Sequence, residues 1–228
     1  MFLGHFGLAF ASKKADKKLS LATAFIAAQF VDLLWPLLLV TGVEKVNIEP
    51  GNTVVTPLDF THYPYSHSLL AGVLWGIAIG VVYFLLKKNR KGAFVVGVLV
   101  LSHWFLDLLM HRPDLPLSFS DGEAKYGFGI WNNLPLTIAI ELVVILVGAG
   151  IYMRATQPKN RWGTISVVSL LVFLIAIYVM NVFGDPPPDS DVIGYVGFAQ
   201  WLFVGWAYWC DATRIPYGEM PAPKRGIE

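Results

Sequence analysis

The sequence predicts an all-α membrane protein: a bundle of six transmembrane helices with a short N-terminal helix that dips into the membrane or lies at its surface. Three observations carry this reading. Of the 228 residues, 55% are hydrophobic and only 14% charged, where a soluble domain carries about a quarter charged residues. Six apolar runs approach or exceed the ~20 residues needed to cross a bilayer. The basic residues alternate from one connection to the next, as orientation in a membrane demands.

Taken in order, the runs cover roughly residues 19–40, 68–86, 92–111, 134–153, 163–183 and 192–210. Ahead of them, residues 2–12 read as the short helix; the lysines that follow "MFLGHFGLAFA" come after the apolar part, the wrong order for a cleaved signal peptide. "VEKVNI" and "NTVVT", flanking "EPGN", predict a small hairpin in the loop 41–61. Loop 112–133, with its glycines, prolines and "YGFGIWNN", is expected to act as a lid. These loops are too small for a second folded domain, so residues 1–228 form one polytopic domain: a site-bearing part over about 1–133, supporting helices over about 134–210 and a tail from 211 to 228.

"SKKADKK" carries four basic residues, "KKNRKG" four and "RATQPKNR" three, and Arg214, Lys224 and Arg225 follow the last run. The alternate loops are acidic or balanced: Lys45 stands against Glu44, Glu49 and Asp59, and "GDPPPDSD" has no base at all. Both termini are therefore expected in the cytoplasm and the loops 41–67 and 112–133 outside. The net charge of +1 argues against a nucleic-acid partner, and Cys210, being alone, permits no intramolecular disulfide.

The chemistry rests on ionisable residues within apolar runs, where a charged aspartate costs ~2.5–3.5 kcal/mol on insertion scales and so usually marks function. All five histidines (His5, His62, His67, His103 and His111) fall in the first half of the chain, with Asp32 in "FVDLLWP" and Asp107 in "SHWFLDLLMH". His103, Asp107 and His111 are spaced i, i+4, i+8 and share one helix stripe with ~6 Å between neighbours. At ~1.5 Å rise per residue, Asp32 lies ~12 Å below the outer end of its run, Asp107 ~6 Å, His103 ~12 Å and Glu141 ~10 Å. His5 reaches the same layer if its helix rises from the cytoplasmic lysines, and His67 opens the second run above it. Three or more nitrogen and oxygen ligands with an open position suit Zn²⁺, and a more carboxylate-rich set suits Mn²⁺ or Mg²⁺. Asp32 or Glu141 is then available as general base. A blander account has the polar pair joining two spans by hydrogen bonds.

Other readings compete. Ser66-His67-Ser68 invites a serine nucleophile with Asp107, although either serine is a natural N-cap for the second run. Intramembrane His and Asp also serve proton- or ion-coupled transporters, but no inverted repeat supports one here. A non-catalytic membrane scaffold is the third class. Asp211 and Arg214, at the inner end of the last run, read as interface anchors.

His5, "FVDLLWP", "HYPYSHS" and "SHWFLDLLMHRPDLPL" together resemble the bacterial membrane-bound, predicted metal-dependent hydrolases of the YdjM-like family, over roughly residues 1–117. That family shows an early histidine, an aspartate-bearing stretch, a histidine motif opening a helix, and "SHxxxD" before a proline-rich turn. Two departures stand out: its paired aspartates are reduced to Asp32, and its Arg-Gly is replaced by Tyr63-Pro64. The resemblance implies His5, Asp32, His62, His67, His103 and Asp107 as the metal and catalytic set.

Combined with the residue-level reading, the expectation is a divalent-metal hydrolase of the bacterial plasma (inner) membrane. His5, His67, His103 and Asp107 hold the ion, while Asp32, His62 and Glu141 serve catalysis. A looser similarity to all-helical zinc phospholipase C-type enzymes points to membrane lipids or lipid-linked phosphoesters as substrate.

Overall fold

The computed structural model describes residues 1–219 apart from 121 and 123. Lys224 and Arg225, which entered the charge argument, lie outside the described residues. In chain order the elements are α1 (Leu3–Ala15), α2 (Leu21–Ala28), α3 (Phe30–Val40), β1 (Lys45–Ile48), β2 (Leu58–His62), α4 (Pro64–His67), α5 (Leu69–Lys87) and α6 (Arg90–Met110). A 3₁₀ turn at Ile130–Asn132 leads into α7 (Leu134–Ala155), β3 (Thr156–Pro158), α8 (Arg161–Phe183), α9 (Ser190–Gly197), α10 (Gln200–Thr213) and β4 (Arg214–Pro216).

Four helices, α5 to α8, are long and apolar enough to cross a membrane. The number rises to five if α2 and α3, bent by 53° at their junction, count as one span. Side-chain caps mark the starts: Ser20, Ser68, Asn89, Asn133 and Asn160 each accept from a backbone N–H of the first turn of α2, α5, α6, α7 and α8. Lys88, at φ +52°, ends α5 in the left-handed conformation. The sixth run, 192–210, is divided between α9 and α10, of 8 and 14 residues, and neither alone is long enough to cross. The break falls at Phe198–Ala199, where Gly197 packs against Pro36 of α3.

Of the two courses expected for the N-terminal helix, inserted or at the surface, the fold adopts an interior one. Most of α1 is buried, and it runs through the interior against α7, α2 and α6. The close passage to α7 is made by Gly7 and Gly148: a β-carbon on either would strike the other helix's backbone. In lipid such contacts are stabilised by van der Waals packing, since surrounding acyl chains are as apolar as the helices themselves. Beneath the polar layer, Phe6, Phe10, Phe25, Tyr152 and Phe203 fill the centre in edge-on and tilted pairs.

α3 contains Pro36, whose missing N–H leaves the Asp32 carbonyl, four residues back, without its helical donor. Gln200 Nε2 of α10 donates to that carbonyl at 3.2 Å. Proline thus ties α10 to the segment that carries Asp32.

The hairpin after α3 forms with a later second strand than expected. β1 pairs antiparallel with Leu58–His62, while "NTVVT" lies in the connecting loop. Thr53 holds that loop, accepting from Thr56 N–H at 2.9 Å, and Gly51 adopts φ +90°. The loop after α6 folds back over the same end of the bundle: Phe128 N–H donates to Leu108 O at 2.8 Å, and Gly129 N–H to His111 O at 2.7 Å. At the opposite end, β3 and β4 pair antiparallel. Residues 214–216, expected within the tail, therefore form a strand, and Arg214 is buried where an interface anchor was expected.

Candidate metal centre

Four segments deliver ionisable side chains to one buried point: His5 from α1, Asp32 from the first turn of α3, His67 from the end of α4, and His103 and Asp107 from α6. Two groups of ligand atoms, each within 4.8 Å of one another, have metal-binding proximity: His5, His103 and Asp107, and Asp32, His67 and His103. His103 belongs to both.

Hydrogen bonding places a proton on Nδ1 of two imidazoles. His103 Nδ1 lies 2.8 Å from the Ala28 carbonyl at the α2–α3 bend, and a carbonyl only accepts, so Nδ1 carries the proton. Its Nε2 faces Asp107 Oδ2 at 3.2 Å and Asp32 Oδ2 at 3.6 Å, without hydrogen-bond alignment to either. His67 is assigned by a longer chain. The Ser66 hydroxyl donates to Glu44 Oε2 at 2.6 Å, so its oxygen accepts from His67 Nδ1, also at 2.6 Å. On the far side of the ring, His67 Nε2 is hydrogen-bonded to Asp32 Oδ1 at 3.2 Å, the carboxylate accepting.

Two carboxylates converging on two imidazoles where little water enters call for positive charge, supplied by protons on the Nε2 atoms or by a metal ion among them. Outer partners of this kind fix the tautomer and ring orientation of metal-ligating histidines.

His5 stacks on His103 with ring centroids 3.6 Å apart, and its Nε2 lies 3.1 Å from Asp107 Oδ1. The Met1 amino group also pairs with Asp107 Oδ1. The side chains of His5, His67, His103 and Asp107 are at most 5% exposed, whereas Asp32 is 20% exposed. The approach to the cluster is therefore on the Asp32 side.

The remaining expected site residues fall elsewhere. Glu141 accepts from Phe2 N–H and Gly4 N–H at 2.8 Å each, so both of its oxygens hold the start of α1. His62 is in the β1–β2 register opposite Lys45 with its ring against Tyr65, and neither metal-capable group includes it. His111 carries the stripe of α6 one turn outward. Its Nδ1 is 2.9 Å from Asp114 Oδ1, which also accepts from Tyr63 OH at 3.0 Å, and its Nε2 lies 4.0 Å from Asp107 Oδ2. Burial pushes the His111 imidazole below its usual range despite the opposing pull of Asp114, and burial raises the Tyr63 phenol.

Ser66 does meet His67, but its hydroxyl proton is committed to Glu44 and not to the imidazole, which argues against a serine nucleophile. Ser66 is buried between Glu44 and His67 Nδ1, while Ser68 caps α5 by accepting from Ala71 N–H at 3.0 Å. Glu44 is the group that reading the chain missed: in sequence it is one more loop charge, and only its seat against Ser66 marks it. No family model, no curated protein and no solved structure matches this chain.

Proposed function

We propose that the chain is a membrane-embedded, metal-dependent hydrolase acting on lipid or lipid-linked phosphoesters. The observation that carries the reading is the convergence of His67 and His103, each held through Nδ1 by an outer partner, with their Nε2 atoms facing Asp32 and Asp107 in a buried layer. The mixed nitrogen and carboxylate donor set favours zinc. His67, His103 and Asp107 would hold the ion, with His5 stacked behind His103 to complete or support the shell. A divalent ion there would supply Lewis-acid polarisation of the ester and lower the pKa of water to ~7.

The chain's own part is positional. Asp32, at the accessible edge, takes the proton of the attacking water. The aromatic wall of Trp35, Phe60 and Tyr63 limits competing water, and the loops 41–61 and 112–133 close over the outer side. Glu141 serves by holding α1, and with it His5, in place.

In this reading α9 and α10 together complete a sixth crossing and the termini face the cytoplasm of a bacterial plasma membrane, as the basic loops favour. The resemblance to the YdjM-like hydrolases points the same way.

The test is metal analysis of purified protein, followed by hydrolysis of a short-chain phospholipid in micelles with and without added Zn²⁺. Stoichiometric zinc, and turnover lost in Asp32→Asn with zinc retained, is the expected result. Substoichiometric metal across Zn²⁺, Mn²⁺ and Mg²⁺ would overturn the reading, and proton-coupled flux in liposomes would favour a transporter.

A further inference from the structure

Glu44 is almost fully buried, and its carboxylate is saturated by donors from one short segment. Tyr65 N–H and Ser66 N–H each donate to Oε1 at 2.8 Å, and the Ser66 hydroxyl donates to Oε2 at 2.6 Å. Glu44 stands immediately before β1, and Ser66 lies just beyond β2 in α4. The carboxylate therefore clasps the two ends of the outer hairpin, and the same serine oxygen accepts from His67 Nδ1 at 2.6 Å.

We propose that Glu44 and Ser66 are positioning residues that make ion loading at His67 and closure of the outer hairpin a single coupled event. The proposal rests on the metal reading above and names the device by which that site is closed. A carboxylate acting through a hydroxyl on Nδ1 makes the far nitrogen a better donor and holds its ring on the ion. The orientation that presents Nε2 to Asp32 is the one in which Ser66 also holds Glu44, so the ion binds the clasped hairpin more tightly than the open one. By thermodynamic reciprocity, the bound ion stabilises the clasp by the same factor. Other ties, such as Tyr63 to Asp114 and Arg112 to Asp59, hold the outer loops without touching His67 Nδ1 and provide no such coupling.

The experiment uses the full chain in detergent, titrated with Zn²⁺ alone against a competing chelator, with hydrogen exchange followed over residues 45–62. In wild type, Zn²⁺ should slow exchange in this segment. Ser66→Ala should weaken Zn²⁺ binding by ~10–100-fold, the range typical of lost outer partners, and should lose the protection even at saturating Zn²⁺. Ser66→Thr, which keeps the hydroxyl, should restore both. Glu44→Gln, read beside a thermal melt in case Ser66→Ala folds poorly, should weaken binding in the same direction. Zn²⁺ affinity unchanged in both Ser66→Ala and Glu44→Gln, or hairpin protection that persists without the hydroxyl, overturns the coupling while leaving the metal site standing. Wild type that takes up no Zn²⁺ overturns the metal reading and the coupling with it.

Discussion

Two buried polar clusters sit at opposite ends of this bundle, and they are built differently. At the β3–β4 end, Arg214 donates through Nε to Thr156 Oγ1, through Nη1 to Gly163 O and through Nη2 to Thr156 O, all within 3.0 Å. Nearby Asp211 accepts from Leu21 N–H and Ala22 N–H at the start of α2. Every contact there joins a donor to an acceptor, and the cluster is complete. In the cluster beside the β1–β2 hairpin the buried His103 Nε2 has no aligned hydrogen-bond partner, and the carboxylates of Asp32 and Asp107 converge on it. Buried polar groups are satisfied in almost all native structures, and each exception needs a reason. The cluster at the β3–β4 end holds β3, β4, α8 and α10 together, whereas the one beside the β1–β2 hairpin gathers histidines and carboxylates that could hold a metal ion.

The contrast can be broken at either end. The largest effect is expected from His103→Ala, which removes the donor shared by both ligand groups: zinc uptake should fall from stoichiometric to none by elemental analysis. Its metal-free thermal stability should also fall, because the Ala28 carbonyl loses its Nδ1 donor and His5 loses its stacking partner, so zinc uptake is read on the folded fraction. Unchanged zinc uptake in this variant would show that the histidine cluster is merely another structural network. Arg214→Met should act on stability alone. It strands the Thr156 and Gly163 carbonyls and should cost at least ~2 kcal/mol by denaturant titration, since hydrogen bonds to charged groups contribute ~1.5–3 kcal/mol. Zinc stoichiometry of the folded fraction should stay as in wild type. The smallest effect sharpens the comparison within one motif: Ser68→Ala removes only the cap of α5, worth ~1 kcal/mol, and should leave Zn²⁺ affinity untouched, unlike its neighbour Ser66. A loss of affinity in Ser68→Ala would blur the division between cap and outer partner.

Much of the fold was legible because membrane spans are written in consecutive residues. The runs at 68–86, 92–111, 134–153 and 163–183 correspond to α5, α6, α7 and α8 within a few residues. Part of the site was legible for a related reason: His103, Asp107 and His111 follow helical spacing, and Asp32 is conspicuous in an apolar run. Glu141 was conspicuous too, but its part lies in the backbone of α1, which no spacing reveals. The interior course of α1 depended on Gly7 meeting Gly148, residues 141 positions apart. The break between α9 and α10 and the later second strand of the hairpin were set by contacts with Pro36 and within the 49–58 loop.

The sequence by itself determined the helical class, the helices long and apolar enough to cross a membrane and which residue types gather in the polar layer, because hydropathy and helical period are local properties of the chain. Tertiary structure alone decided which partner holds Nδ1 of His67 and of His103, that Glu44 is joined through Ser66 to the first of these, and that Ser66 and Ser68 make different contacts. Those are questions of which donor meets which acceptor. They are settled by contacts such as Glu44 with Ser66 or Ala28 with His103, between residues 22 and 75 positions apart.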